Sequence, residues 1–476
     1  MDLVIRNGQV VTAAGRWQGA IGIAGGRIAA LGAVGPGARE IDAAGRMVMP
    51  GGVDPHCHVE QMSGMGLMNA DTFETASRSA AMGGTTAMIS FAAQARGERL
   101  RDTVAAYAAR AARGAAIDHA FHVTVADPSV EGLETDLADL AAAGHRSVKL
   151  FTTYDIRLDD AALIRVLAAA KAAGMLTCVH AENHGMLDWT KARLLEAGLD
   201  RPEHHALSHP RLAEVEAVER ICRFAEFLDA PVMIFHVSTE RALAAVRAAR
   251  ARGVPVRAET CPHYLLSTAG VLHRDGIEGA KWMCSPPQRD AGDVAALWQG
   301  LARGDLDLVS SDHAPYRFDA TGKLQAGPTP PFPAIANGMP GLETRLPLLF
   351  DAMVSRGRGG AEAFVRATAT APARIYGLPG KGDIAPGMDA DLVIWDADRR
   401  VTYAADDLHD AVGYNPWAGT TVTGWPETVI LRGGVVKEGD DWRGTPGAGR
   451  FLPRAGHGVP PAGRMAPELA FMEADG

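Results

Sequence analysis

No apolar run in this sequence approaches the length needed to cross a membrane, which is about 20 residues for a helix. That argues against insertion into a bilayer. The basic segment and apolar stretch of a secretory leader are also missing, because Met1-Asp2-Leu3-Val4-Ile5-Arg6 reads directly as a strand. Cysteine is scarce: five residues, at 57, 178, 222, 261 and 284, show no paired spacing. A disulfide framework is therefore excluded and a reduced, cytoplasmic protein is expected. Positive charge is not in excess. The net charge of -9 argues against a nucleic-acid surface.

What the sequence has is apolar bulk. It is 47% hydrophobic and 22% charged over 476 residues, so a sizeable core is expected. The length exceeds one typical domain and suits a large barrel with an attached module. Residues 1–50 look like short strands joined by glycine turns at Asn7-Gly8 and Gly25-Gly26. Strand-like runs return at Asp391–Trp395 and Val429–Leu431, in a segment spanning 376–437. The two chain ends are expected to pair into one small β-sandwich module. Residues 51–375 lie between them, and 438–476 form a Pro/Gly/Arg-rich extended arm that either packs on a neighbouring subunit or is disordered.

The middle alternates strand and helix. Strand-like runs occur at Thr86–Phe91, His119–Val125, Ser147–Phe151, Leu176–His180, Val232–His236, Val256–Thr260 and Leu306–Ser310. With the strand before His56, taken as running out of Met47–Met49, they make eight β/α units. That alternation predicts an α/β protein with a (β/α)8 barrel. Reactive residues of such barrels sit at the C-terminal strand ends.

The stretch Gly51-Gly52-Val53-Asp54-Pro55-His56-Cys57-His58 places two histidines two apart. In an extended chain both imidazoles face the same way and can seat a divalent metal. The pattern alone also fits two hydrogen-bonded loop histidines. Lys149, His180, His236 and Asp312 fall at or just after later strand ends, and that coincidence is far more specific. Four neutral histidines and one carboxylate could hold two divalent ions, leaving most of their four positive charges uncompensated. Carboxylation of Lys149 by CO2 would turn a cation into an anion with an oxygen for each metal. Read alone, Lys149 is more simply a strand-end lysine reaching solvent.

Six further stretches complete the pattern: Ser147-Val148-Lys149-Leu150-Phe151-Thr152-Thr153-Tyr154, Val179-His180-Ala181-Glu182-Asn183, His236-Val237-Ser238, Glu259-Thr260-Cys261-Pro262-His263-Tyr264, Ser285-Pro286-Pro287 and Ser310-Ser311-Asp312-His313-Ala314-Pro315. With these the sequence resembles the cyclic amidohydrolases, most closely dihydropyrimidinases and hydantoinases. The tyrosine five residues after the lysine narrows the resemblance to that branch. It implies two divalent metals, usually Zn2+, bridged by a carboxylated Lys149. His56, His58 and Asp312 would complete one site, and His180 and His236 the other. It further implies a bridging hydroxide that attacks a ring carbonyl, with Tyr154 stabilising the oxyanion and Asp312 carrying the proton to the leaving nitrogen. Ser285 and Asn337 fall where the family contacts the cyclic amide, largely through backbone groups. The product would be an N-carbamoyl amino acid, and the family forms tetramers or dimers.

Two other readings differ from this one. An allantoinase-like or dihydroorotase-like enzyme is a sibling, but dihydroorotases carry an arginine where this chain has Glu60. A non-enzymatic relative would lack the metal ligands, and all six are present here. His184, His263 and His313 are expected to orient ligands or loops, and His204, His205 and His209 to be surface or packing residues. The loop Gln61–Asp71, with Met62, Met65, Leu67 and Met68, is expected to border an apolar pocket for an exocyclic substituent.

Overall fold

The computed structural model describes residues 1–466 together with Glu468 and Leu469. The remainder of the expected arm, residues 467 and 470–476, lies outside the described residues. Eight parallel strands run in sequence order: Gly52–Cys57, Thr85–Ala93, Asp118–Thr124, Ser147–Phe151, Leu176–His180, Val232–Ile234, Val256–Thr260 and Leu308–Val309. A bridge between Cys57 and His313 brings the last unit back to the first. These strands are buried along nearly their whole length, as expected for a parallel sheet covered by helices. The helices between them are amphipathic. Asp160–Ala172 turns Leu163, Val166, Leu167 and Ala170 to the core, and its Asp159 cap accepts from the Ala162 amide. No described helix is long and apolar enough to cross a membrane.

The two chain ends build one nine-stranded sheet. Met47–Pro50 is its junction, parallel to Leu3–Thr12 and antiparallel to Leu392–Thr402. This corrects the reading of Met47–Met49 as the strand before His56. That run belongs to the terminal sheet, and the barrel's first strand begins afresh at Gly52. The physical reason is Gly51-Gly52, which lets two strands of different sheets follow within two residues: a Cβ at Gly51 would lie 2.1 Å from Thr86 Oγ1.

Asn7-Gly8 is also not a turn. Leu3–Thr12 is continuous, and Asn7, at φ 55°, marks a register shift in its pairing with Gly15–Ala24. The extra residue is absorbed as a bulge. Gly25-Gly26 does turn the chain, with φ 58° and 76°. At the other end the sheet continues past residue 437, through Gly434–Glu438 and Asp441–Trp442.

The described part of the arm lies on its own barrel. Phe451 bridges to His119 at the N-terminal end of the third barrel strand. The buried Arg454 guanidinium donates to Ser147 Oγ at 2.9 Å and to the Phe121 carbonyl at 2.8 Å. The arm thus covers the barrel end opposite the C-terminal strand ends, and those ends remain open.

Candidate metal centre and active site

The C-terminal strand ends bring the six expected ligand residues around one cavity of about 940 Å3. His56 is the penultimate residue of the first strand and His58 follows it. Lys149 lies within the fourth strand, His180 closes the fifth, and His236 and Asp312 follow the sixth and eighth. His56 Nε2 is 3.0 Å and His58 Nε2 3.6 Å from Asp312 Oδ1. One ligand atom from each of the three lies within 4.8 Å of the others. The His180 and His236 rings are 4.4 Å apart, and His236 is 5.4 Å from His56. Backbone strain marks the same place: His236, Asp312, Tyr154 and Glu60 have φ between 45° and 67°. Non-glycine residues rarely adopt that region without compensating contacts.

Three of the histidines have one nitrogen already engaged, leaving the other for a ligand. His56 Nδ1 is 2.5 Å from Glu259 Oε1. His58 Nδ1 is 2.6 Å from Gln61 Oε1. His180 Nε2 is 2.8 Å from Glu182 Oε2. Such partners fix tautomer and ring orientation at metal sites. Burial holds His58, His180 and His236 below the usual histidine pKa, so their neutral, ligating forms prevail. Burial alone would raise the Asp312 pKa, but His56, His58 and His236 outweigh it and keep the carboxyl well below its usual range.

Lys149 is the anomaly. Its Nζ is buried with no hydrogen-bond partner among the described residues. It lies 3.9 Å from the Phe235 ring centroid and 4.7 Å from that of Phe151. Burial pulls its pKa down to about 7. A buried, unsatisfied cation is costly, whereas a neutral amine at this position can react with CO2. The donor set, nitrogen and carboxylate oxygen with a lysine between, fits two divalent ions.

Glu182 is a hub that sequence reasoning missed. Its Oε1 pairs with His209 Nδ1 at 2.7 Å, and its Oε2 accepts from Ser285 Oγ at 2.6 Å as well as meeting His180. His209 and His205 are therefore not surface residues. Both are buried and line the cavity, and His205 Nε2 donates to the Cys284 carbonyl at 2.8 Å. His313 orients a loop: Nε2 meets Asp71 at 2.9 Å and Nδ1 accepts from the Gly341 amide. His184 sits on the cavity wall near Thr153 and Asp188. Glu182 and Glu259 each stand in a motif beside a histidine or strand end, and that was the signal available. Their partners lie too far along the chain to be guessed.

Tyr154, Ser285 and Asn337 line the same cavity. Because Ser285 Oγ donates to Glu182, the side chain is left only as an acceptor, and the backbone of Ser285 can meet a ligand as well. Asn337 Oδ1 is buried without a partner among the described residues. Leu67 does not face the cavity. It packs with Ala314, Tyr316 and Ala336, while Met62, Met65 and Met68 line the opening at 53%, 41% and 45% exposure.

An eight-stranded parallel barrel carrying such a ligand set at its C-terminal rim belongs to the metal-dependent hydrolases. The comparisons define the group more closely. The amidohydrolase family model matches residues 47–436. D-hydantoinase from Ralstonia pickettii is 41% identical over 458 residues, 95% of this chain and 99% of the relative. D-phenylhydantoinase from Escherichia coli O81 is 37% identical over 95% of this chain and 98% of the relative. Among solved structures, a D-hydantoinase superposes with a TM-score of 0.91 at 40% identity, covering 97% of this chain and 100% of that one. The dihydropyrimidinase from Brevibacillus agri gives 0.93 at 36% identity, with the same coverage. The chain belongs to the amidohydrolase family, in the neighbourhood of its hydantoinases and dihydropyrimidinases.

Proposed function

We propose that this protein is a metal-dependent cyclic amidase that opens dihydropyrimidine or 5-substituted hydantoin rings to N-carbamoyl amino acids. The observation that carries the reading is the convergence of His56, His58, Lys149, His180, His236 and Asp312 on one cavity, in a chain similar to D-hydantoinase along its length. Two divalent ions, taken here as zinc, would be held by His56, His58 and Asp312 on one side and by His180 and His236 on the other. A CO2-derived carbamate on Lys149 would add one negative charge and two oxygen donors to the set. When bound, such ions polarise a carbonyl and bring the pKa of coordinated water to about 7.

The remaining chemistry falls to the chain. Tyr154 lends its hydroxyl to the oxygen that gains charge as the ring carbonyl becomes tetrahedral. Asp312 accepts the proton released from water and passes it to the departing ring nitrogen. Water is added across one C–N bond: carbon gains the oxygen, and nitrogen gains the proton. Backbone groups of Ser285 and Asn337 hold the ring, and the unpaired Asn337 Oδ1 supplies an acceptor for a ring N–H. The methionines at the mouth form an adaptable apolar wall for the exocyclic group. Glu60 also lines the cavity, which disfavours an anionic ring such as dihydroorotate.

The protein is further read as a cytoplasmic homo-oligomer, a tetramer or dimer. Five buried free cysteines suit a reducing compartment, and Trp189, Leu195, Leu207 and Leu212 are exposed apolar side chains suited to contact with another copy. The test is an assay of the purified protein against hydantoin, 5-phenylhydantoin, dihydrouracil, allantoin, dihydroorotate and a simple cyclic imide, with metal analysis. Turnover of hydantoins or dihydrouracil with two metals per chain supports the proposal. Turnover confined to allantoin or dihydroorotate refutes it.

A further inference from the structure

Lys323 lies in the long segment after the eighth barrel strand and is completely buried. It does not line the cavity. Its Nζ donates to the Ala336 carbonyl at 2.7 Å and to the Met283 carbonyl at 3.3 Å. Neither acceptor is charged, and no carboxylate contacts the amine among the described residues. Burying an amine costs several kcal/mol unless it is well bonded, and a methionine or leucine would fill the space without that cost. Burial lowers its pKa to about 7.

The two acceptors have a common place in the structure. Met283 stands two residues before Ser285, and Ala336 immediately precedes Asn337. The Gly338 amide donates to the same Met283 carbonyl at 2.9 Å. Lys323 and Gly338 therefore lace together the two segments that present Ser285 and Asn337 to the cavity. A Cβ at Gly338 would lie 2.4 Å from the Ala314 carbonyl, so the Asn337 segment has little room to find another seat. Lys323 itself is anchored by its backbone amide, 2.8 Å from the Arg317 carbonyl.

We infer that Lys323 is a positioning residue for substrate: its amine sets the spacing between the Ser285 and Asn337 segments and so the width of the slot that receives the cyclic amide. This rests on the ring-opening function proposed above. A ring held by backbone groups from two segments is sensitive to their separation, since each hydrogen bond lost to it costs up to about 10-fold in affinity. Lys323 has no contact with the metal ligands, so its loss leaves metal loading intact.

The test compares wild type with Lys323→Met and Lys323→Gln, the second retaining an N–H donor without charge. Metal content is read by mass spectrometry, stability by thermal unfolding, and KM and kcat on hydantoin and 5-phenylhydantoin. We expect Lys323→Met to bind two metals and to raise KM about 10-fold on both substrates, with kcat changed less than KM. Lys323→Gln should recover part of the loss. If the folded, metal-loaded Lys323→Met has wild-type KM, or if only its thermal stability falls, the inference is overturned. If Lys323→Met does not fold, the Lys323→Gln KM decides in the same way. Failure of the functional reading is separate, since wild type would then open neither hydantoins nor dihydrouracil.

Discussion

Glu259 Oε1 lies 2.5 Å from Nδ1 of His56, so a carboxylate on the seventh barrel strand fixes an imidazole on the first. Both side chains are essentially inaccessible. The contact commits His56 to present Nε2 towards Asp312, at 3.0 Å. Removing a partner of this kind costs about 10–100-fold in metal affinity or activity. Glu259→Gln is therefore expected to weaken metal retention by that order while the fold persists. Dialysis against a chelator, followed by metal analysis, measures it; retention equal to wild type would contradict the assignment.

Lys149→Ala removes the buried amine proposed to carry the carbamate. The variant is expected to lose most bound metal and activity. Short carboxylic acids should restore part of both, because a carboxylate can occupy the space left by the side chain. A variant that keeps two metals per chain and full turnover would show that Lys149 has no such role.

The methionines at the cavity mouth predict a preference. Wild type should favour 5-phenylhydantoin over hydantoin in kcat/KM, and Met65→Ala should erode that preference. One apolar contact is worth about 1–3 kcal/mol of discrimination, roughly 10–200-fold; the lower end is expected at a residue 41% exposed. Leu67→Ala should change stability more than selectivity, because Leu67 packs against Ala314 and Tyr316. Equal loss on both substrates in Met65→Ala would remove the loop from the specificity pocket.

Lys381 joins the barrel to the terminal sheet. Its ammonium, fully buried, lies 2.6 Å from Asp118, 2.7 Å from Asp391 and 3.0 Å from Asp389. Burial would lower its pKa, but Asp391 and Asp118 outweigh that and raise it. A raised pKa means that its stabilisation is complete below the unfolded lysine value and is lost only as pH climbs through the higher folded one. Stability should therefore be insensitive to this group at neutral pH. Lys381→Met leaves the buried Asp391 without a cation, while Asp118 keeps Arg432 and Asp389 keeps Arg27, and is expected to cost about 3–5 kcal/mol, a large share of a typical folding free energy. Denaturant unfolding at pH 7 measures it, and a midpoint within error of wild type would refute the expectation.

What the sequence determined by itself was whatever is periodic or local. The β/α alternation named the barrel, because apolar strands and amphipathic helices announce themselves within about ten residues. The residues at strand ends marked six side chains that meet at one cavity, because every barrel strand delivers its last residues to the same rim. Tertiary structure decided the rest. Asn7-Gly8 carries a turn signal yet becomes a bulge, since the neighbouring strand Gly15–Ala24 continues to pair beyond it. His209 reads as a packing residue until folding brings it to Glu182. Lys323 carries no motif, and its acceptors stand 40 and 13 residues away. Glu259 and His56 are separated by 203 residues, Ser285 and Glu182 by 103. Hydrogen bonds that orient ligands form between side chains from different strands, and no short-range pattern encodes which two will meet. Only closure of the barrel brings them within reach.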